Sequence, residues 1–175
     1  MKTYADALNF VLRWEGTTRE DVPGDPGGKT FSGITQADYA AYRKEHGLPA
    51  LDVFQATGEQ IAAIYREHYA VPVHFEELPY NLAVVLFDTA VNCGLGRAVC
   101  WLQGVVGVTV DGAFGPKTLA ATKYYIAQHS AALLASGVLL RRDSFYRKLG
   151  RPGTTLNKFL KGWLNRTAAL RKEIA

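Results

Sequence analysis

The chain has 175 residues, 48% of them hydrophobic and 21% charged, with a formal net charge of +4. That length and balance suit one well-packed globular domain and are short for two. No apolar run is long enough to cross a bilayer, and the opening Met1-Lys2-Thr3-Tyr4-Ala5-Asp6 lacks the apolar stretch of a signal peptide, so synthesis in the cytoplasm is expected, with release to any outside target by another agent.

In chain order the pattern is helical nearly throughout. Thr3 and Asp6 resemble a capping box, and Leu8, Val11, Leu12 and Glu15 follow at helical spacing until Gly16. Residues 16–33 hold Pro23, Gly24, Pro26, Gly27, Gly28 and Gly33, which predicts a turn-rich loop with a short hairpin near Thr30 to Ile34. Thr35 with Asp38 caps a second helix ending near Gly47. Thr57 with Gln60 caps a third, running toward Tyr69 and stopped by Pro72. A buried helix is expected over Leu82 to Val91, broken by Gly94 and Gly96, then another over Arg97 to Val106. Pro116 suits the first position of a following helix. Helices are predicted over Lys117 to Ser136, Val138 to Leu149 and Thr155 to Glu173. The last carries Leu156, Phe159, Leu160, Trp163, Leu164 and Ala168 along one face, a stripe expected to be core, with a basic helix lying on a membrane surface as the alternative.

Charge is unevenly placed. Residues 1–114 hold eight Lys/Arg and fourteen Asp/Glu, whereas residues 115–175 hold twelve and two. A basic C-terminal third fits an anionic wall polymer or membrane surface, or else a set of solvated helix faces. It lacks a base-reading motif, so nucleic acid is not the expected partner. Cys93 and Cys100, seven apart, would stand about 10 Å apart on continuous helix, too far for a disulfide unless Gly94 and Gly96 break the helix, and two buried thiols are expected. The four histidines show no metal spacing, so neither metal nor cofactor is implied.

Glu15 is the candidate for chemistry. Glycoside hydrolysis needs a carboxylic acid that stays protonated to reach the leaving oxygen, and usually a second carboxylate. Glu15 ends the apolar stripe of the first helix, where desolvation and the negative end of the helix dipole both disfavour ionisation. The alternative is a helix-end Glu paired with Arg13 or Arg19. Asp25, in Gly24-Asp25-Pro26-Gly27-Gly28, is the candidate second carboxylate, with Glu20 and Asp21 as competitors; a plain turn is the alternative. Thr30 is a candidate for orienting a water. Asp88 and Asn92, four apart in an apolar run, share one helix face and either reach a sugar or tie to the interior. Tyr39 is among the aromatics able to stack on a sugar, though most of these are expected in the core.

These residues carry a resemblance. Trp14-Glu15-Gly16, Asp25-Pro26-Gly27-Gly28-Lys29-Thr30 and Gly33-Ile34-Thr35 resemble the entry motif of family 108 glycoside hydrolases, the N-acetylmuramidases of phage endolysins and some toxin-export systems. Leu86-Phe87-Asp88-Thr89-Ala90-Val91-Asn92-Cys93-Gly94 is similar to their cleft-floor helix. Trp101-Leu102-Gln103, Asp111-Gly112, Gly115-Pro116-Lys117-Thr118 and Gly162-Trp163-Leu164-Asn165-Arg166 resemble the associated peptidoglycan-binding region. Together these span about residues 8–168. Thr17 and Thr18 replace the family's second Gly and aromatic, and the loop to Asp25 is about one residue longer.

The resemblance implies an all-α, lysozyme-like domain over residues 1–175, with a small loop or hairpin beside the cleft. Residues 1–78 would form the catalytic lobe and 79–175 a helical lobe. It implies a monomeric endolysin, or a secretion-assisting muramidase, that cuts the MurNAc–GlcNAc bond of peptidoglycan. Glu15 would be the acid, with Asp25 and Thr30 beside it and Asn92, Asp88 and Tyr39 contacting substrate. A non-catalytic wall-binding module is the rival.

Overall fold

A computed structural model describes residues 2–16, 18–21 and 28–175. Among them are eight α-helices and one three-stranded antiparallel sheet, in the order β1-β2-β3. The helical class with a small hairpin element is therefore as expected. The chain divides into two compact units, Ala5–His68 and the remainder, in which residues 2–4 join Tyr69–Ala175.

The first unit holds most of α1 (Tyr4–Glu15), β1 (Arg19–Glu20), β2 (Thr30–Phe31), β3 (Ile34–Thr35), α2 (Gln36–Glu45) and α3 (Gly58–Tyr65). On α1, Ala7, Leu8, Phe10 and Val11 are buried, the stripe that periodicity predicts. Thr35 caps α2 by accepting from the Asp38 amide, and Thr57 and Gln60 form a capping box on α3. A single π-turn, Arg66–Ala70, follows α3 and leads into the second unit.

In the second unit α4 (Tyr80–Cys93) is the central helix, with ten of its fourteen residues buried. It packs on α5 (Leu95–Val106) and α7 (Ala131–Leu149). Next, α6 (Pro116–Gln128) lies on α5 and α7, and α8 (Asn157–Glu173) lies on α7. Leu82, Leu86 and Phe87 are fully buried, each contributing about 1.5–3 kcal/mol of apolar transfer. The chain start is tied in here: Lys2 Nζ is 2.8 Å from Glu173 Oε1, and the Tyr4 ring lies 5.7 Å from Phe75 and 5.6 Å from Phe87.

Gln103 builds the loop between α5 and α6. Its Oε1 accepts from the amides of Asp111 and Gly112, while Nε2 donates to Asp111 Oδ1 at 2.7 Å and to the Ala113 carbonyl at 3.0 Å. Nearly all of this side chain is buried, so its five polar contacts, including one from Nε2 to Thr118 Oγ1 at 3.1 Å, replace the water it has lost. Cys93 and Cys100 are free thiols, Cys93 buried and Cys100 half-buried.

Three expectations change. First, the break between α6 and α7 falls at His129–Ser130, where Ser130 caps α7 by accepting from the Leu133 amide at 3.0 Å. Gly137 sits inside α7 instead. A Cβ there would meet Val105 Cγ1 at 3.0 Å, so the glycine serves close helix packing rather than a break. Second, the α8 stripe is not core. Leu156, Leu160, Trp163 and Leu164 are only half-buried, Ala168 and Phe159 are exposed, and the buried residues of α8 are Arg166, Thr167 and Leu170. Third, the hairpin gains a strand, β1, pairing Arg19 with Phe31 and Glu20 with Thr30.

Candidate active site

The first unit places Glu15 at the last position of α1, half-buried, where the Gly16 amide closes on the Leu12 carbonyl at 3.0 Å. The hairpin β2–β3 turns in two residues. Ser32 has φ 51° and Gly33 φ 75°, the paired left-handed conformations of a type I′ turn. Gly33 is required on two counts. Its φ is one that side chains disfavour, and a Cβ would stand 2.5 Å from the Tyr65 hydroxyl and 3.3 Å from Glu15 Cβ.

Tyr65, 2% exposed, donates its hydroxyl proton to the Ser32 carbonyl at 2.9 Å. It therefore fixes the hairpin tip against the stem of Glu15. Sequence reasoning missed Tyr65 and Ser32, because their meeting depends on the turn and on α3 together.

The other side of the hairpin is also braced. Lys29 Nζ lies 2.5 Å from Asp52 Oδ2, and Asp52 Oδ1 accepts from the Phe54 amide at 2.9 Å. The hydrogen bond from Lys29 holds the Asp52 carboxyl below its ordinary range, and the same bond raises Lys29. Arg19 donates to the Phe54 carbonyl at 2.9 Å, and its guanidinium lies 5.4 Å from the Phe31 ring centroid. Gln36 bridges to the same segment, donating to the Leu51 carbonyl and accepting from the Val53 amide.

Thr30 lies in β2, half-buried, across from Glu20 on one side and Thr35 on the other. Glu20 is exposed and accepts from the Thr18 hydroxyl at 3.2 Å. Asp25 lies outside the described residues. The structure thus puts Glu15 and Thr30 in one unit, Thr30 two residues before the turn that packs on Glu15.

Tyr39 is not a sugar platform. It is fully buried, donating to Gln60 Oε1 at 2.7 Å and accepting from Arg43 Nη1 at 3.0 Å. Its polar end is satisfied inside the core, leaving no ring face for a ligand.

Asp88 and Asn92 do share a face of α4, within the second unit, but that face meets Arg142. Asp88 is fully buried, with Arg142 Nη1 2.6 Å from Oδ2 and Arg166 Nε 2.9 Å from Oδ1. Its carboxylate is consumed by two buried cations, which corrects its reading as a substrate contact. Burial opposes the Arg142 charge, but Asp88 outweighs it and Arg142 is held more firmly protonated.

Asn92 is half-buried, and its Oδ1 accepts from the Tyr146 hydroxyl and from Arg142 Nη2 at 3.4 Å. A guanidinium only donates, so Arg142 Nε, 2.8 Å away, occupies the Tyr146 oxygen as acceptor. The phenol, pushed up by burial, keeps its proton and donates a hydrogen bond to Asn92 Oδ1. The Asn92 oxygen is thus spoken for, and its NH2 remains the donor group.

A family model described as Glycosyl hydrolase 108 matches residues 8–94, and one described as Predicted Peptidoglycan domain matches residues 97–168. The fold is similar to a solved structure titled "Structure of Brucella abortus SagA", at a TM-score of 0.75 and 33% identity. That match covers 98% of this chain and 92% of the other. Comparison with curated protein sequences returned no match. The chain belongs to glycoside hydrolase family 108. It is a glycosidase acting on peptidoglycan, with a C-terminal peptidoglycan-binding domain.

Proposed function

We propose that the enzyme is an N-acetylmuramidase that cuts the bond between N-acetylmuramic acid and N-acetylglucosamine, with Glu15 as its general acid. The observation carrying this reading is the packing of Glu15 against the hairpin tip, held in turn by Tyr65. Glu15 gives its proton to the glycosidic oxygen as the C1–O bond breaks. A water oxygen bonds to C1 and loses its proton to a second carboxylate. Asp25 takes that part or stabilises the oxocarbenium-like transition state, and Thr30 orients the water. Asn92 offers its amide N–H donors to a sugar acceptor.

Physiologically the proposal is an endolysin, with a secretion-assisting muramidase as the second reading. The test of the chemistry is reducing-end release from purified peptidoglycan. Wild-type protein is expected to release reducing ends and Glu15→Gln to release about a hundredth as many or fewer, since general-acid catalysis contributes roughly 10²–10⁴-fold. Near-wild-type release by Glu15→Gln contradicts the assignment.

A further inference from the structure

One face of α7 carries charge that the fold does not use. Leu140, Asp143, Ser144, Arg147, Lys148 and, just past the helix, Arg151 recur every three or four residues and line a shallow hollow of about 610 Å³. Asp143 contributes no net charge to it, because Arg171 Nη2 sits 2.8 Å from its Oδ2. Arg147, Lys148 and Arg151 are exposed, and no carboxylate among the described residues lies within ion-pair distance of them. Leu140, 65% exposed, adds an apolar patch at one end.

The hollow lies wholly within the segment that matches the peptidoglycan domain. The glycan of peptidoglycan is uncharged along its length, because the lactyl carboxylate of each muramic acid is amide-linked to a peptide. The negative charge sits on the stem peptides, whose free carboxylates alternate with alanine methyls. Guanidinium groups pair with carboxylates through two parallel hydrogen bonds, and an exposed leucine suits methyl groups. We propose that this face of α7 is a binding site for the carboxylates of peptidoglycan stem peptides, separate from the groups that hold the glycan. The inference rests on peptidoglycan being the substrate.

The test uses the full chain carrying Glu15→Gln, so that the polymer stays intact, with and without R147Q/K148Q/R151Q. Co-sedimentation is measured with intact sacculi, with sacculi stripped of stems by an amidase, and with phosphatidylglycerol-containing vesicles. The parent is expected to bind intact sacculi about tenfold more tightly than stripped ones, the equivalent of one or two charge-assisted contacts. The triple substitution is expected to erase that preference and leave the circular dichroism spectrum unchanged. R147K/R151K, which keeps the charge but loses the paired guanidinium hydrogen bonds, should retain only part of it.

Equal binding of intact sacculi by parent and triple variant overturns the proposal. So does a parent that does not distinguish intact from stripped sacculi. Loss of vesicle binding alone in the triple variant would assign the face to a membrane surface instead. In the Glu15 background the triple variant should release reducing ends from stripped glycan at the wild-type rate. If wild-type protein itself releases none, the acid mechanism fails while the binding result stands.

Discussion

Gly33 turns its bare α-carbon toward Glu15: a Cβ at this position would lie 3.3 Å from Glu15 Cβ and 2.5 Å from the Tyr65 hydroxyl. Replacing Gly33 by Ala therefore strains a φ of 75° and crowds the acid at the same time. The strain costs about 1–2 kcal/mol, and the displacement of the hairpin tip acts on Glu15. Expected is a fall in kcat/KM of at least about tenfold, since a 1 Å misplacement can cost roughly 10²-fold. Steady-state kinetics alongside thermal unfolding would separate the two effects, and wild-type kinetics would refute the packing role of Gly33.

Tyr65 acts through Ser32. Tyr65→Phe keeps the ring and removes the bond to the Ser32 carbonyl, leaving that acceptor unsatisfied at a cost of about 1–3 kcal/mol. Folding should survive, because the ring's buried surface is unchanged. The expected signature is a reduced kcat with KM little altered and a displaced pH profile for kcat, a readout that plain destabilisation would not move. An unchanged profile would reduce Tyr65 to a packing residue.

Asp88 and Asn92 should separate cleanly when each is replaced. Asp88→Asn strands two buried guanidiniums, Arg142 and Arg166, and breaking such a cluster costs about 3–5 kcal/mol. For a chain of this size that lowers Tm by roughly 10 °C. Asn92→Ala should cost little stability and raise KM on peptidoglycan. Differential scanning calorimetry and substrate titration are the checks. A raised KM in a fully stable Asp88→Asn protein would return Asp88 to the substrate.

The Lys29–Asp52 pair should shape stability at both ends of the pH range. Asp52 is depressed in the folded state, chiefly by its bond from Lys29, so its contribution is present above the unfolded carboxylate value near 3.9 and disappears as pH falls through the folded one. Lys29 is raised by the same bond. Its contribution is present below the unfolded lysine value near 10.4 and is lost as pH rises through the folded one. Asp52→Asn should flatten both limbs of a Tm-against-pH curve. Because both side chains are more than a third exposed, high salt should shrink the difference.

What could be read from the sequence was local. Thr35, Thr57 and Pro116 announce helix starts within three or four residues of themselves, and the structure uses each of them so. The stripe ending at Glu15 and the hairpin near Thr30 followed from spacing and turn residues. What failed was partnership across distance. Asp88 meets Arg142 and Arg166, 54 and 78 positions away, and nothing near Asp88 names them. Its lone charge in an apolar run demanded a cation without saying which. Tyr65 reaches Ser32 over 33 positions. Gly137 looked like a helix break because its real reason, Val105, lies on another helix. The α8 stripe looked like core because periodicity reports a face without reporting what covers it.

The central claim is that Glu15 is the acid of a muramidase, and mass spectrometry of the products tests it most directly. Purified peptidoglycan digested by wild-type protein should yield muropeptides whose reducing end is N-acetylmuramic acid, and Glu15→Gln protein, folded by circular dichroism, should yield essentially none. Products ending in reducing N-acetylglucosamine, or the same muropeptides released at a comparable rate by Glu15→Gln, would contradict it.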